Sequence, residues 1–242
     1  MTFAGMIPDF KQFLLHKTTS SDCSEIEVIQ SLWSGYGKIS RYELRKSPLT
    51  TVVVKQIELD KIKHHPRGWA SNFAHQRKVK SYQVEASWYV QWANKCDANC
   101  KVPKLIGNYK KGKNQWIILE DLNDEYPLRK YEVNLDEAKA CLKWLANFHA
   151  NFLGEKPIGL WEIGTYWHLD TRPDELKKIE QTDLKAKAHL LDKMLSNCRF
   201  STMVHGDAKL ANFCFSNDGR KVAAVDFQYV GGGCGMKDVA YF

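Results

Sequence analysis

At 242 residues, 44% hydrophobic and 26% charged, the chain is one large domain or two small lobes with enough length for a sizeable core, and it is neither disordered nor fibrous. No apolar run approaches the roughly 18 residues that a membrane helix needs, so no membrane partner is expected. The charge is +7, from 35 Lys and Arg against 28 Asp and Glu. The basic residues sit in small clusters at Lys61–His65, Arg77–Lys80 and Lys110–Lys113 rather than in one block, and no base-reading motif accompanies them, so nucleic acid is not the expected partner.

The N-terminus, MTFAGMIPDFKQFLL, carries no positive charge ahead of its apolar residues. It is a poor signal peptide, and a cytoplasmic protein is the expectation. The cysteines at 23, 96, 100, 141, 198, 214 and 234 complete no zinc spacing and read as reduced thiols. Strands are predicted over Val28–Trp33, Ile39–Leu44 and Thr50–Glu58, with Ser34-Gly35-Tyr36-Gly37 as the first turn. A helix follows over Asn72–Asn94, with Phe73, Gln76, Val79, Tyr82, Ala86 and Tyr89 at spacings of three or four. Two further strands are read at Lys104–Tyr109 and Gln115–Glu120.

After Asp121-Leu122-Asn123 the pattern turns helical. Asn134 or Asp136 caps a helix to about Phe152, Pro157–Thr171 is irregular and aromatic, and another helical stretch covers Pro173–Cys198. Short strands return at Met203-Val204, Asn212–Ser216 and Val222–Phe227. The outline is α+β: a β-rich N-terminal lobe over residues 1–122, a hinge at about 119–124, and a mainly helical lobe over 123–242. A cleft between two such lobes is where a small ligand is held.

The sharpest motif is Val204-His205-Gly206-Asp207-Ala208-Lys209-Leu210-Ala211-Asn212. His-x-Asp with Asn five positions after the Asp has the spacing of a kinase catalytic loop, with Asp as base and Asn as magnesium ligand. Asp226 then ends the apolar run Val222–Val225. The turn-forming Ser216-Asn217-Asp218-Gly219-Arg220 brings it back towards Asn212, giving a carboxylate and an amide oxygen suited to Mg²⁺.

The pairing of HGDxxxxN with Asp226-Phe227-Gln228 resembles the aminoglycoside phosphotransferase and choline kinase group of small-molecule kinases. The segments SLWSGYGKISRYEL, RKVKSYQVEASWYVQWA, WIILEDL and CLKWLANFHA make it most similar to the ecdysteroid-kinase-like (CHK kinase-like) branch. The resemblance implies a bilobal protein kinase-like fold and the cofactors ATP and Mg²⁺. Lys55 takes the place of the strand lysine on the α- and β-phosphates, with Glu85 as its ion-pair partner. Gly35 and Gly37 belong to the phosphate-covering turn, in which Ser40 stands where a third glycine would be. Backbone groups of Glu120 and Leu122 pair with the adenine edge, and Asp238 braces the catalytic loop.

The implied reaction moves the γ-phosphate of ATP to a hydroxyl of a small molecule. Trp161, Tyr166 and Trp167 are either core or aromatic faces for a cationic or flat acceptor. Kinases of this group continue well beyond the segment matching GMKDVAYF, so the second lobe is expected to be truncated. The alternative is therefore a nucleotide-binding pseudokinase or scaffold without turnover.

Overall fold

The computed structural model describes residues 8–32, 35–59 and 72–242. Trp33, Ser34 and the basic cluster Lys61–His65 lie outside them. The chain forms two compact units, one of residues up to His75 with Pro103–Asp121, the other of Gln76–Val102 with Leu122–Phe242.

The first unit is built on five antiparallel strands. These are β1 (Asp22–Ser31), β2 (Gly37–Arg45), β3 (Thr51–Ile57), β4 (Leu105–Lys111) and β5 (Asn114–Glu120), in the order β1-β2-β3-β5-β4. The most apolar runs take the centre, because β3 and β5 are flanked on both edges and lose the most water. Strand β1 starts at Asp22, earlier than the apolar pattern suggests. It is a polar edge strand whose register against β2 shifts twice, at Glu25/Glu27 and Val28/Gln30, so it shows little hydrophobic alternation.

Helix α1 (Pro8–Thr18) covers one sheet face. Its Phe10 and Leu14 join Tyr42, Val52, Val54, Trp116 and Ile118 in a buried cluster, and Phe10 stacks on Trp116 at 5.3 Å between ring centroids. By the two-residue strand period, Lys55 and Ile57 lie on the opposite face of β3 from Val52 and Val54. The last residue of this unit, Asp121, is anchored to the sheet: Arg41 Nε donates to it at 2.5 Å and Thr51 Oγ1 at 2.9 Å.

The second unit is mainly helical, with α2 (Asn72–Gln91), α3 (Leu135–Asn151), α4 (Pro173–Lys177), α5 (Thr182–Ser196) and α6 (Met236–Tyr241). Two antiparallel ribbons complete it: β6 (Ser201–Val204) with β9 (Gly231–Cys234), and β7 (Phe213–Phe215) with β8 (Val222–Ala224). From Gln76 onward α2 belongs to this unit, although the sequence reading assigns the whole helix to the first lobe. The reason is aromatic. Trp88 on α2 packs against Phe227 at 4.7 Å, Phe152 at 5.4 Å and Phe148 at 5.6 Å, and burying four large rings together outweighs sequence proximity to the sheet.

Helix α3 starts where its capping signal places it. Asn134 Oδ1 accepts from the N–H groups of Asp136 and Glu137, each at 3.0 Å, and Glu137 Oε2 accepts the Asn134 N–H at 3.0 Å. The single helix expected over 173–198 is two helices. Lys178 N–H turns back to Glu175 O at 3.1 Å and Ile179 N–H to Leu176 O at 3.3 Å, closing α4 before α5 begins. Among the described residues no helix is long and apolar enough to cross a membrane.

Truncating Phe148, wholly buried among Trp88, Trp144 and Phe152, should cost about 3–5 kcal/mol. Removing the cap by Asn134→Ala should cost about 1 kcal/mol. Urea unfolding followed by tryptophan fluorescence reads both, and equal losses would contradict this division between core and cap.

Candidate active site

Strand β6 delivers His205, Gly206 and Asp207, and a buried carboxylate receives them. Asp238 at the start of α6 accepts the His205 N–H at Oδ2 (2.7 Å) and the Gly206 N–H at Oδ1 (2.9 Å), and His149 Nε2 of α3 lies 2.8 Å from Oδ2. This is the bracing place that the resemblance gives Asp238. The His205 ring packs against Phe227 at 4.6 Å and its Nε2–H donates to Val225 O at 3.0 Å, which ties the loop to the end of β8.

Gly206 is obligatory. Its φ is +80°, and a Cβ built there would lie 2.1 Å from the Tyr229 carbonyl oxygen. The Tyr166 N–H closes the other side by donating to Gly206 O at 2.7 Å.

This frame leaves Asp207 with two unlike oxygens. Its Oδ2 accepts from Asn212 Nδ2 at 3.1 Å and pairs with Lys209 Nζ at 3.0 Å. Its Oδ1 is buried with no hydrogen-bond partner among the described residues. A buried, unsatisfied carboxylate oxygen is costly, and such an orphan is what a base awaiting a substrate hydroxyl would leave.

Lys209 carries no sequence signal beyond its place two residues after Asp207. Burial alone would lower its ammonium, but the hydrogen bond to Asp207 and the charges of Asp207 and Asp226 outweigh burial and hold its pKa above the ordinary lysine value. Tyr241 of α6 is raised by burial first and then by the Asp207 charge, so it too sits in the field of this carboxylate.

Asn212 and Asp226 come together through the ribbon. Phe213 pairs with Ala224, and the Val225 N–H donates to Asn212 O at 3.0 Å, which sets Asn212 across from the residue preceding Asp226. Asn212 Nδ2 also donates to Asp207 O at 2.7 Å, which orients the amide and leaves its Oδ1 as the atom suited to a cation. Asp226 adopts φ +66°, a left-handed conformation uncommon outside glycine and tolerated best by Asn and Asp.

Among the described residues no group of three or more His, Cys, Asp or Glu gathers as a metal cage. Mg²⁺ does not require one, because it binds through one or two carboxylates and completes its shell with water and substrate phosphate. The oxygen donors of Asp226 and Asn212, beside an open Asp207 oxygen, fit that mode.

The other expected residues fall on both units. Lys55 is central in β3, opposite Ile39 and Ile117, and only 3% exposed. Glu85 lies in α2 and is 1% exposed. Gly35 has φ +75°, and Gly37 has φ +135° with the Gln56 carbonyl oxygen 1.9 Å from a built Cβ, so side chains are excluded at this turn. The Glu120 N–H is committed to Lys104 O at 2.9 Å, and Leu122 O accepts the Tyr126 N–H at 2.7 Å.

Of the three aromatic candidates, Trp161 is buried and Trp167 is 50% exposed. Their faces already carry cations of the chain itself. Arg172 lies 3.7 Å from the Tyr166 ring centroid and 5.2 Å from that of Trp167, and Lys80 lies 4.3 Å from that of Trp161.

The sequence profile of the phosphotransferase enzyme family (APH) matches residues 39–242. It therefore takes in Lys55, Glu85 and the whole Asp207–Asp226 arrangement and starts just after the glycine turn. No curated protein matches the chain.

Asp238→Ala would leave two buried N–H groups without an acceptor, and should cost about 2–6 kcal/mol at about 1–3 kcal/mol for each orphaned group. Asp238→Asn, which keeps one acceptor oxygen, should cost less. Thermal or urea unfolding of both variants checks the order.

Proposed function

The chain belongs to the phosphotransferase enzyme family, and from that premise we propose that it transfers the γ-phosphate of ATP to a hydroxyl group of a small molecule. The observation that carries this reading is the asymmetry of Asp207: Oδ2 is held by Asn212 and Lys209, while Oδ1 is buried with no hydrogen-bond partner among the described residues.

In the proposed reaction Asp207 Oδ1 takes the proton of the acceptor hydroxyl. The hydroxyl oxygen forms its bond to the γ-phosphorus as the bond from that phosphorus to the bridging oxygen breaks, and ADP leaves. Asn212 and Asp226 hold Mg²⁺, which when bound neutralises charge on the phosphates. Lys55 is assigned to the α- and β-phosphates and Glu85 to its counter-charge, following the kinase template. Backbone groups of Glu120 and Leu122 are assigned to the adenine edge, following the same template. Little covalent work is left for the protein. Its contribution is positioning and charge.

The acceptor is best matched by a neutral hydroxyl compound. Arg172 lies over Tyr166 and Trp167 and Lys80 over Trp161, and their positive charge disfavours a cationic acceptor against those rings. A neutral acceptor agrees with membership of the ecdysteroid-kinase-like branch, to which we assign the chain on the sequence segments given above. Free thiols at all seven cysteines suit a reducing, cytoplasmic setting.

ADP release from the parent protein with ATP, Mg²⁺ and a panel of neutral and cationic alcohols tests the reading. Asp207→Ala should reduce turnover about 10²–10⁴-fold, and a variant working at the parent rate would remove Asp207 as base. Chelation of Mg²⁺ by EDTA should abolish turnover. ATP binding without turnover on any acceptor would instead support a nucleotide-binding scaffold.

A further inference from the structure

Asp226 is the residue whose aim matters most and whose own backbone secures it least. It stands past the end of β8 with φ +66°, so its conformation must be imposed by its neighbours. On the N-terminal side, Val225 is fixed by its N–H to Asn212 O and its carbonyl to His205 Nε2, both at 3.0 Å. On the C-terminal side there is no strand, and two successive side chains do the holding.

Phe227 is wholly buried. It stacks on Trp88 at 4.7 Å with 16° between the rings, and Tyr89 meets it edge-on at 6.0 Å. Gln228 is also buried, and its amide oxygen accepts from Lys78 Nζ at 2.6 Å, while Ser81 Oγ shares its single proton between Lys78 O at 2.8 Å and the same amide oxygen at 3.2 Å. Its backbone carbonyl accepts the Trp161 Nε1–H at 2.8 Å. Lys78 and Ser81 are three apart on α2 and so share a face, and Glu85 lies four further along that face. Stacking alone tolerates sliding of the Phe227 ring. A directed hydrogen bond from an ammonium, with a shared hydroxyl beside it, does not.

We infer that Gln228 is a positioning residue: it latches the Asp226 segment to α2 and so holds the Asp226 carboxylate in the geometry that binds the metal. The inference rests on the reading of Asp226 as a Mg²⁺ ligand. It predicts that loss of the amide acceptor weakens metal binding while nucleotide binding without metal stays as it was.

The probe is Mn²⁺, titrated into the protein with ADP and followed by electron paramagnetic resonance. ADP affinity in EDTA and the melting temperature are measured in parallel. Gln228→Leu should weaken Mn²⁺ binding about 10–100-fold, the usual effect of removing an outer partner of a metal ligand, with ADP affinity in EDTA unchanged. Gln228→Glu keeps an acceptor for Lys78 and Ser81 and should stay within about threefold of the parent.

Should Gln228→Leu not fold, the double variant Lys78→Met with Ser81→Ala removes the same latch from the helix side and should show the same selective loss. Unchanged Mn²⁺ affinity in the latch variants overturns the inference, and so does an equal loss of Mn²⁺ and metal-free ADP binding, which would mean a merely structural role. Asp226→Asn separates the two levels. If it binds Mn²⁺ like the parent, the metal-ligand reading falls and the latch falls with it. If it loses Mn²⁺ while the latch variants do not, the latch alone is wrong.

Discussion

The carboxylate of Asp238, buried at the start of a helix of only six residues, organises the His205–Asp207 segment. The peptide groups of His205 and Gly206 leave strand β6 and would otherwise carry their N–H donors into the protein interior unpaired, which folding does not tolerate. Asp238 accepts both, and His149 from α3 adds a third polar contact to the same carboxylate. A buried charge is costly unless it is surrounded by donors in good geometry, and here two segments distant from it in sequence supply them, the His205–Gly206 stretch and His149 of α3. Once His205 is fixed, its ring reaches Val225 and so sets the segment that leads from β8 to Asp226. The close packing of Gly206 against Tyr229 then leaves Asp207 little freedom. The asymmetry of the Asp207 oxygens follows from this frame rather than from Asp207 itself.

The aromatic core of the second unit is the other half of the frame. Trp88, Trp144, Phe148, Phe152 and Phe227 bury large apolar area in contact with one another. One member, Phe227, sits next to Asp226, so the same packing that stabilises the fold also controls the metal-binding candidate. Gln228 adds direction to that packing. Helix α2 therefore does more than carry Glu85: through Trp88, Lys78 and Ser81 it fixes the chain on the C-terminal side of Asp226.

Legibility in the sequence tracked how local the physics was. Strands β2, β3 and β5 and helix α3 show in the residues because alternation, β-branching and a capping box are short-range signals. Helix α1 is equally legible, since Pro8 and Asp9 at its start and Phe10, Phe13 and Leu14 on one face are ordinary helix signs. Strand β9 could not be read, because Gly231-Gly232-Gly233 has no strand preference. It pairs with β6, and glycine is needed in it because Gly231 passes so close to Trp161 that a built Cβ would lie 2.1 Å from its carbonyl oxygen. The break between α4 and α5 is similarly silent in composition.

By itself the sequence determined the chemistry available: an Asp, an Asn and a second Asp at kinase spacing, a strand lysine, and turns where glycine alone fits. Residue type and short spacing are local properties, and they suffice to name a reaction class. Only the tertiary structure decided which Asp207 oxygen stays open, that Lys209 sits beside the other, that α2 from Gln76 packs with the helical unit, and that Arg172 and Lys80 cover aromatic faces that composition leaves bare. Even the short-range ones, Lys209 beside Asp207 and Arg172 over Tyr166, depend on how the loops are held, and the rest depend on contacts between residues tens of positions apart or on the burial of particular atoms. Such contacts arise from packing and desolvation summed over the folded chain, and no window of sequence contains them.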